Sequence, residues 1–287
     1  MSVLEARNLS LTYGNGTIID RLTLTVPKEQ ITVFIGSNGC GKSTLLRSMA
    51  RLLKPSEGEI VLEGKLIAEL PTKEIARKLA ILPQGPIAPE GLTVFQLVKQ
   101  GRYPYQHWLK QWSDEDERMV HQALEATKLT EFAERPVDSL SGGQRQRAWI
   151  AMTLAQGTRT ILLDEPTTYL DMAHQIDILD LLFELNETKK TTVVMVLHDL
   201  NLACRYAHHI VAIKDKAIYA QGKPEEVVHA ELVKHVFDMD CQVLTDPFFG
   251  TPLCIPQGRG RTVAAADPAA YGSAGVLQNN RVLVAGR

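Results

Sequence analysis

Residues 31–44 read ITVFIGSNGCGKST, an apolar run that passes directly into a loop of glycines and small residues. The part GSNGCGKST, residues 36–44, is a full match to the phosphate-loop pattern G-x-x-x-x-G-K-[ST]. The apolar run predicts a buried strand, and residues 42–53 predict a helix, which is the context that the pattern requires. The alternative, a flexible glycine turn with a chance GKS, explains neither the full spacing nor this context. The stretch therefore predicts a strand, a phosphate-binding loop and a helix.

The residue types in this loop suit nucleotide phosphates. Glycines let backbone N–H groups wrap around phosphate oxygens, and the helix N-terminus adds positive potential. Lys42 supplies a positive charge, and the hydroxyl of Ser43 can bind Mg²⁺. Cys40 is interpreted as a small residue that fills the loop. The predicted nucleotide-binding residues of the loop are Gly36, Ser37, Asn38, Gly39, Cys40, Gly41, Lys42, Ser43 and Thr44.

Composition limits the kinds of protein that this chain can be. It has 287 residues, 45% of them hydrophobic and 22% charged, with a formal net charge of -2. That length suffices for one sizeable core with a smaller subdomain. The near-neutral charge argues against a protein that binds nucleic acid by bulk electrostatics. No nucleic-acid partner is therefore predicted.

The sequence also predicts no bilayer-spanning segment. No apolar run approaches the roughly 18 residues needed to cross a membrane, and the N-terminal MSVLEARNLS lacks the basic-then-apolar pattern of a signal peptide. The four cysteines form no C-x-x-C pair and have no metal-like spacing. Free thiols in a soluble cytosolic protein are the expectation.

Strands and helices alternate in the second half of the chain. Strands are predicted at 160–163, 192–197 and 209–213, separated by helices at 173–188 and 201–206. Short connections between such elements imply a mostly parallel sheet that is covered on both faces. Two β-rich segments and a mostly helical middle precede them. The helical middle interrupts the alternation and predicts a second lobe.

The acidic residues of the site are predicted in TILLDEP, residues 160–166, directly after the strand at 160–163. An acidic residue at the carboxyl end of a buried strand is a typical Mg²⁺ partner, which indicates Asp164. Glu165 lies one residue further, where it can orient an attacking water. Two carboxylates in an ordinary strand-ending turn are the alternative, and the phosphate loop at 36–44 argues against it.

The stretch LSGGQRQR, residues 140–147, begins a helix at an unexpected cost. Ser141 and Gln144 have the spacing of a capping box, and apolar residues recur along the helix that follows. Yet Gly142 and Gly143 occupy its first turn, where each costs about 0.5–1 kcal/mol relative to alanine. Folding alone does not account for this pair.

With LSGGQ between a phosphate loop and an acidic strand end, the sequence resembles the ATP-binding subunits of ABC transporters, whose signature motif is LSGGQ. The resemblance implies an α/β fold with a P-loop NTPase core of ABC type, an N-terminal β-subdomain and an inserted helical subdomain. It implies one ABC ATPase domain over 1–258, with core and β-subdomain at about 1–84 and 135–258 and the helical subdomain at about 85–134. Residues 259–287, rich in alanine, glycine and polar residues, are predicted to be a loosely held C-terminal tail.

The resemblance also explains the two glycines. It implies a homodimer packed head to tail, in which the signature motif of one subunit meets the γ-phosphate held by Lys42 of the other. Side chains at Gly142 and Gly143 would block that approach, and one well-aimed donor in such a site is worth about 10²–10³ in rate. The residues implied to reach across the dimer are Ser141, Gly142, Gly143, Gln144 and Asp171.

Further motifs follow in the family's order and are assigned by resemblance. Gln84 in LPQ matches the glutamine that reaches Mg²⁺ and the attacking water, so Ser43, Gln84 and Asp164 are the implied metal ligands. His198 in VLHDL matches the switch histidine at the γ-phosphate, and Tyr13 matches the aromatic residue that stacks on adenine. ATP and Mg²⁺ are the implied cofactors. The implied catalytic residues are Glu165, His198, Gln84 and Lys42.

Longer stretches narrow the resemblance to the ATPases of bacterial ferric-siderophore importers. They include EGLTVFQLVKQGRYPYQHW from residue 90, LLDEPTTYLDMAHQIDILDLL from residue 162 and GTPLCIP from residue 250. They imply two membrane permease subunits, a periplasmic or lipoprotein siderophore-binding protein, and a place at the cytoplasmic face of the bacterial inner membrane. Vitamin B12 and haem importer ATPases are close relatives and stay open as alternatives, as does a soluble ABC ATPase for cofactor assembly.

Two surface patterns have competing interpretations. RYPYQHW, residues 102–108, lies where the resemblance places the docking of the permease, and the alternative is an ordinary aromatic surface loop. His107, His208 and His209 suggest a metal site. Adjacent histidines without a nearby acidic cluster are more often structural, so no metal is predicted there.

Overall fold

A computed structural model of the chain describes residues 2–14, 16–106, 112–168 and 170–258. Its strands are β1 (Ser2–Tyr13), β2 (Gly16–Pro27), β3 (Ile31–Ile35), β4 (Glu57–Leu62), β5 (Lys65–Leu66), β6 (Leu79–Leu82), β7 (Thr160–Leu163), β8 (Thr192–Val196), β9 (His209–Lys214), β10 (Ala217–Gly222), β11 (Cys241–Thr245) and β12 (Pro252–Pro256). Its helices are α1 (Lys42–Met49), α2 (Thr72–Lys78), α3 (Val94–Gln100), α4 (Asp114–Ala126), α5 (Gly142–Ala155), α6 (Met172–Lys189), α7 (Leu200–Tyr206), α8 (Pro224–Val227) and α9 (Ala230–Phe237). Short 3₁₀ turns lie at Tyr103–Tyr105, Thr130–Phe132 and Val137–Ser139.

The central sheet has the strand order β10-β9-β3-β8-β7-β6. All neighbours pair in parallel except β9 and β10, which are antiparallel. β3, β7 and β8 are buried at every residue, as expected for strands in a sheet that is covered on both faces. The mostly parallel, doubly covered sheet predicted from the sequence is confirmed.

The two faces of this sheet meet different partners, because alternate residues of a strand point to opposite sides. Phe34 and Val194 belong to an apolar cluster with α1 and the strands β1, β2 and β4. Val33 and Val193 belong to a larger cluster with α3, α5, α6 and α9. β1, β2, β4 and β5 form a separate antiparallel sheet in the order β2-β1-β4-β5. The β-rich beginning of the chain thus covers the helix that follows the phosphate loop.

The helices α3, α4 and α5 pack against one another around a buried ion pair. Arg102 Nε lies 2.8 Å from Asp116 Oδ1, and Arg102 Nη1 donates to the carbonyl of Ala155 at 2.9 Å. Both charged side chains are almost fully buried, so these hydrogen bonds must offset the cost of removing the charges from water. The guanidinium carbon of Arg102 also lies 3.9 Å from the centroid of the Tyr105 ring. The predicted division into core, β-subdomain and helical subdomain stays a prediction.

The helix after the phosphate loop is shorter than predicted. The sequence pattern extends it to residue 53, whereas α1 ends at Met49. Arg51 adopts a left-handed backbone with φ 59°, and the N–H of Leu52 donates to the carbonyl of Arg47 at 2.9 Å. This reversal satisfies the last carbonyls of the helix and turns the chain. Periodicity missed it because the leucines after Met49 continue the apolar pattern beyond the helix.

The last described elements, β11 and β12, form an antiparallel hairpin that packs against α7. The chain up to Pro256 forms one compact unit. The predicted tail, residues 259–287, lies outside the described residues, as do His107 and Trp108 of the aromatic stretch.

Candidate active site

Four loops meet at one edge of the central sheet, because β3, β8, β7 and β6 are parallel neighbours and end on the same side. β3 leads into the phosphate loop, and β6 leads to Gln84. β7 leads to Asp164 and Glu165, and β8 leads to His198. Ligands of open α/β sheets bind at the carboxyl ends of the strands. The sheet therefore gathers residues that are up to 162 positions apart (His198 minus Gly36) into one site.

The phosphate loop surrounds the side chain of Lys42. Lys42 Nζ donates to the carbonyls of Gly36 and Ser37, at 2.9 Å each, and lies 3.8 Å from Cys40 Sγ. The lysine is only 4% exposed. Its positive charge is thus centred in the loop, where an anionic group can reach it.

Two glycines of the loop are required by close contacts. Gly36 has φ 150°, and a Cβ there would lie 2.4 Å from the carbonyl oxygen of Ile213. Gly41 has φ 104°, and its Cβ would lie 2.9 Å from Ile18 and from Ile19. A side chain at either position would both clash and force a backbone that non-glycine residues rarely adopt. The sequence pattern is explained by packing as well as by phosphate binding.

Ser43 and Asp164 meet as the metal prediction requires. Ser43 Oγ donates to Asp164 Oδ1 at 2.7 Å. Asp164 Oδ2 is buried and has no hydrogen-bond partner among the described residues, although Arg47 Nε lies 3.8 Å away. Burial raises the pKa of Asp164 above its ordinary value, against the opposing effects of Ser43 and Arg47. A hydroxyl beside a buried carboxylate oxygen in need of a partner is a donor set that suits Mg²⁺.

Glu165 is held by residues from three other positions. Gln84 Nε2 and Thr168 Oγ1 donate to Oε2 at 2.7 and 2.9 Å. His198 Nε2 lies 2.7 Å from Oε1. Burial acts to raise the pKa of the Glu165 carboxyl, but the hydrogen bonds and the nearby imidazole together lower it below its ordinary value. The carboxylate is therefore ionised and fixed in orientation at neutral pH.

A cavity lies between the phosphate loop and this carboxylate. Its lining consists of Ile18, Asn38, Gly39, Gly41, Lys42, Ser43, Thr44, Gln84, Glu165 and His198. Six of the nine predicted loop residues and all four predicted catalytic residues, Lys42 being counted in both groups, are thus brought together. Gly36, Ser37 and Cys40 form the part of the loop around the lysine ammonium instead. Tyr13 ends β1 and is 76% exposed, outside this lining.

The signature motif begins α5 as predicted. Ser141 Oγ accepts from the N–H of Gln144 at 3.3 Å, and Gln144 Oε1 accepts from the N–H of Ser141 at 3.1 Å. The two glycines differ in their surroundings. A Cβ on Gly143 would lie 2.7 Å from the ring of His174, whereas a Cβ on Gly142 would have no neighbour within 4 Å among the residues that the structure describes. Packing accounts for the second glycine and leaves the first unexplained.

Asp171 begins the neighbouring helix. It caps α6 by accepting from the N–H of His174 at 2.9 Å, and the ring Nδ1 of His174 lies 2.7 Å from the same oxygen. Because the His174 ring also packs on Gly143, the starts of α5 and α6 are in contact. None of the five residues implied to cross a dimer is in the lining of the phosphate cavity, as far as the described residues go.

Sequence reasoning missed two contacts of the site. Thr168 follows Glu165 by three residues, a spacing that places its hydroxyl near the carboxylate in a tight turn, and this signal was available. Arg47 follows Ser43 by four residues on α1, so both lie on one helix face. Its approach to Asp164 depends on the neighbouring strand and has no local signal.

Of the two adjacent histidines, His208 has ordinary structural partners. His208 Nδ1 accepts from the N–H of Ile31 at 3.2 Å, and its ring stacks on Phe183 with centroids 6.2 Å apart. Burial lowers the pKa of His208 and of His209. Both are therefore favoured in the neutral form. His107, the third member of the suggested metal site, lies outside the described residues.

Comparison with protein families matches residues 19–168 to the family described as ABC transporter. The match spans the phosphate loop, the signature motif and the acidic strand end. The chain belongs to the ABC transporter family. It is an ATP-binding cassette subunit, and its reaction is ATP hydrolysis.

Relatives resemble this ABC ATPase over most of its length. It is 73% identical over 263 residues to the "Probable siderophore transport system ATP-binding protein YusV" of Bacillus subtilis, a match that covers 92% of this chain and 96% of the relative. It is 72% identical over 260 residues to the petrobactin import ATP-binding protein FpuD of Bacillus anthracis, covering 91% and 95%. Among solved structures, the dimeric post-hydrolysis state of the cassette MJ0796 bound to ADP and Pi has a TM-score of 0.68 and 30% identity, covering 77% of this chain and 98% of that chain.

No helix within the described ranges of this ABC ATPase combines the length and the apolar character that a membrane crossing needs.

The buried carboxylate of Asp164 leads to a prediction about stability. Its unfolded pKa is close to 3.8, and its folded pKa is higher. Below pH 3.8 the group is protonated in both states, whereas at higher pH ionisation favours the unfolded chain. Without Mg²⁺, Asp164→Asn is therefore expected to raise the melting temperature at pH 7, by about 2–4 °C for each 1 kcal/mol regained.

Differential scanning calorimetry in EDTA measures this effect, with Asp138→Asn on an exposed residue as the control. The gain should shrink as the pH is lowered toward 4. A lower melting temperature for Asp164→Asn at pH 7 would contradict the assignment of Asp164 as a buried, poorly satisfied charge.

Proposed function

We propose that this ATPase drives import of a ferric-siderophore complex through a separate membrane permease. The observation that carries the ATP-hydrolysing part of the proposal is the fixed Glu165 carboxylate, which faces Lys42 across the phosphate cavity and is held by Gln84, Thr168 and His198. The names of YusV and FpuD, which are siderophore and petrobactin transport proteins, support the cargo. Their high identity over nearly the full chain favours the same class of substrate here.

The phosphate loop binds the substrate ATP in this proposal. Backbone N–H groups of residues 36–44 and the ammonium of Lys42 hold the β- and γ-phosphates, and Tyr13 stacks on the adenine. Ser43, Gln84 and Asp164 would hold Mg²⁺, whose positive charge neutralises the phosphate oxygens when it is bound. The buried Oδ2 of Asp164, which has no hydrogen-bond partner among the described residues, supports this donor set.

Glu165 and His198 carry the chemical step. The ionised carboxylate orients a water for attack on the γ-phosphorus and accepts its proton as the bond to the leaving ADP oxygen breaks. Gln84 and His198 keep the carboxylate in place, and His198 is also close enough to the cavity to contact the γ-phosphate. Most of the rate enhancement comes from positioning and from electrostatic stabilisation by the loop.

A second copy of the chain completes the site. Ser141 Oγ accepts from Gln144, so its own proton is available to donate to a phosphate. Gly142 leaves the helix start open, because no atom in the described part of its own chain would lie within 4 Å of an added Cβ. Gly143, Gln144 and Asp171 complete the surface offered to the partner. The dimeric structure of the related cassette MJ0796 with ADP and Pi supports the pairing of two chains.

The permease and the membrane are the remaining partners. Tyr103, which is 67% exposed, lies beside the Lys73 ammonium at 5.6 Å, and Arg77 lies 5.5 Å from the Tyr105 ring. This mixed aromatic and basic surface is the part of the helical lobe that docks on two permease subunits. The ATPase then lies peripherally at the cytoplasmic face of the membrane, and a siderophore-binding protein outside delivers the cargo.

Uptake of radiolabelled compounds, with label on the metal of each, tests the function. Cells deleted for this gene receive wild type, Lys42→Ala or Glu165→Gln, and are offered a panel of ferric siderophores, vitamin B12 and haem. Wild type alone should restore uptake of one ferric siderophore. Restored B12 or haem uptake would leave the ATPase in place and refute the siderophore cargo. Unchanged uptake of every compound would refute a role in import.

Dimerisation tests the shared site. Glu165→Gln removes the proton acceptor but keeps the side-chain volume, so ATP should remain bound and hold two chains together. Size-exclusion chromatography with light scattering in Mg-ATP should show a dimer for Glu165→Gln. Lys42→Ala, which loses the phosphate-binding charge, should stay monomeric under the same conditions. A monomer for both variants would exclude the head-to-tail arrangement.

Alanine substitutions at Gly142 and Gly143 test whether the signature motif needs backbone that no side chain covers at these two positions. Gly142→Ala meets no steric obstacle and should stabilise the monomer slightly, by about 0.5–1 kcal/mol. Its methyl group would nevertheless obstruct a phosphate of the partner, so ATPase activity should fall about 100-fold. Gly143→Ala pushes on His174 and should lower both stability and activity. Full ATPase activity of a well-folded Gly142→Ala protein would remove the functional explanation of this glycine.

A further inference from the structure

The short helix α7 begins two residues after His198. Asp199 caps it by accepting from the N–H groups of Asn201 and Leu202 at 2.8 and 3.0 Å. The backbone of His198 is therefore joined directly to the start of the helix, and a tilt of α7 displaces the histidine. A helix of seven residues is not stable alone in water. Its position depends on the elements that hold it.

The C-terminal hairpin, β11 and β12, holds the first turn of α7 through one side chain. Asn201 Nδ2 donates to the carbonyl of Cys254 at 3.1 Å, and Asn201 Oδ1 accepts from the N–H of Cys254 at 2.7 Å. The side-chain amide thus pairs with both backbone groups of one residue in β12, as a neighbouring strand would. The buried side chain of Cys254 lies in the same apolar cluster as Cys204 of α7. Polar and apolar contacts together fix the position of the hairpin relative to α7.

The turn of the same hairpin holds the last turn of α7. Arg205 Nη2 donates to Asp246 Oδ2 at 3.1 Å, and the guanidinium lies over the Phe249 ring, 4.1 Å from its centroid. Asp246 Oδ1 also accepts from the N–H groups of Phe248 and Phe249 at 2.9 and 3.2 Å. Because Asp246 is 6% exposed, these hydrogen bonds are shielded from water and make the turn a firm support.

We propose that the C-terminal hairpin positions His198 by holding both ends of α7, with Asn201 and Arg205 as the positioning residues. The inference rests on the proposed role of His198 at Glu165 and the γ-phosphate. His198 Nε2 is 2.7 Å from Glu165, a contact that a small rotation of α7 would break. The hairpin pairs with neither of the larger sheets in the described chain, and its contacts with α7 give it a function in the reaction.

A double-mutant cycle with His198 distinguishes positioning from general stability. Asn201→Ala removes both hydrogen bonds to Cys254, and misplacement of His198 should lower kcat about tenfold while KM for ATP stays within about twofold. In a His198→Ala background, Asn201→Ala should change kcat by no more than about twofold, because the group it positions is already gone. Steady-state ATPase assays on the full chain measure all four proteins. A residue that acts only on stability would give the same fold-loss in both backgrounds.

Two further variants complete the test: Arg205→Gln as a second positioning variant and Phe248→Ser as a control. Arg205→Gln should act in the same direction, and it serves as the test if thermal melting shows that Asn201→Ala does not fold. Phe248→Ser, at a hairpin residue that is 87% exposed, should keep wild-type kcat. Wild-type kcat in folded Asn201→Ala and Arg205→Gln proteins, or equal losses in the two backgrounds, would overturn the inference.

The proposed function and this inference can fail separately. If His198→Ala keeps wild-type kcat, positioning of His198 is refuted, while loss of activity in Lys42→Ala still supports the ATPase site. If Asn201→Ala is fully active and His198→Ala is inactive, the catalytic role of His198 stands and the hairpin has no part in it.

Discussion

Parallel pairing of β6, β7, β8 and β3 is the constraint on which the site depends. Parallel strands with neighbouring carboxyl ends deliver four loops to one edge, and hydrogen bonding between strands sets their spacing at about 4.8 Å. Gln84, Glu165 and His198 can therefore touch although they are 81 and 33 positions apart along the chain (165 minus 84, 198 minus 165). A slip of one residue in β7 would turn Asp164 and Glu165 to the opposite faces of the sheet. Pairing of β7 with both β6 and β8 fixes this register.

Three residues of the site lower the stability of the folded chain. Asp164 keeps a buried carboxylate oxygen to which no group in the described part of the chain donates a hydrogen bond, and burial raises the pKa of that carboxyl. Glu165 has a left-handed backbone with φ 55°, which costs about 1–3 kcal/mol in a non-glycine residue. Gly142 weakens the first turn of α5 although its own chain leaves room for a side chain. Each departure lies where a phosphate, a cation or a second subunit would interact, as local rules are most often broken at functional sites.

Local patterns predicted the parts of the site that local chemistry determines. The phosphate loop, the strand before Asp164 and the capping box of Ser141 each depend on residues within a few positions, and the structure has all three. The end of α1 was misjudged because the left-handed Arg51 has no glycine to mark it. Gln84 and His198 could be assigned only by the order of the family's motifs. The parallel sheet, and not the local sequence, brings them into contact with Glu165. The pairing of Asn201 with Cys254, 53 positions away, has no local signal at all.

Arg102 joins the helices α4 and α5 to the 3₁₀ turn at Tyr103–Tyr105. Its guanidinium is bonded at once to Asp116 in α4 and to the carbonyl of Ala155 at the end of α5, and it stacks on Tyr105 beside the exposed Tyr103. Arg102 thereby fixes the 3₁₀ turn at Tyr103–Tyr105 to the C-terminal end of α5. The helix α5 has 14 residues and is about 21 Å long, and Ser141 lies at its N-terminal end. The buried cation of Arg102 thus connects the aromatic surface around Tyr103 to the end of α5 that lies opposite the signature motif.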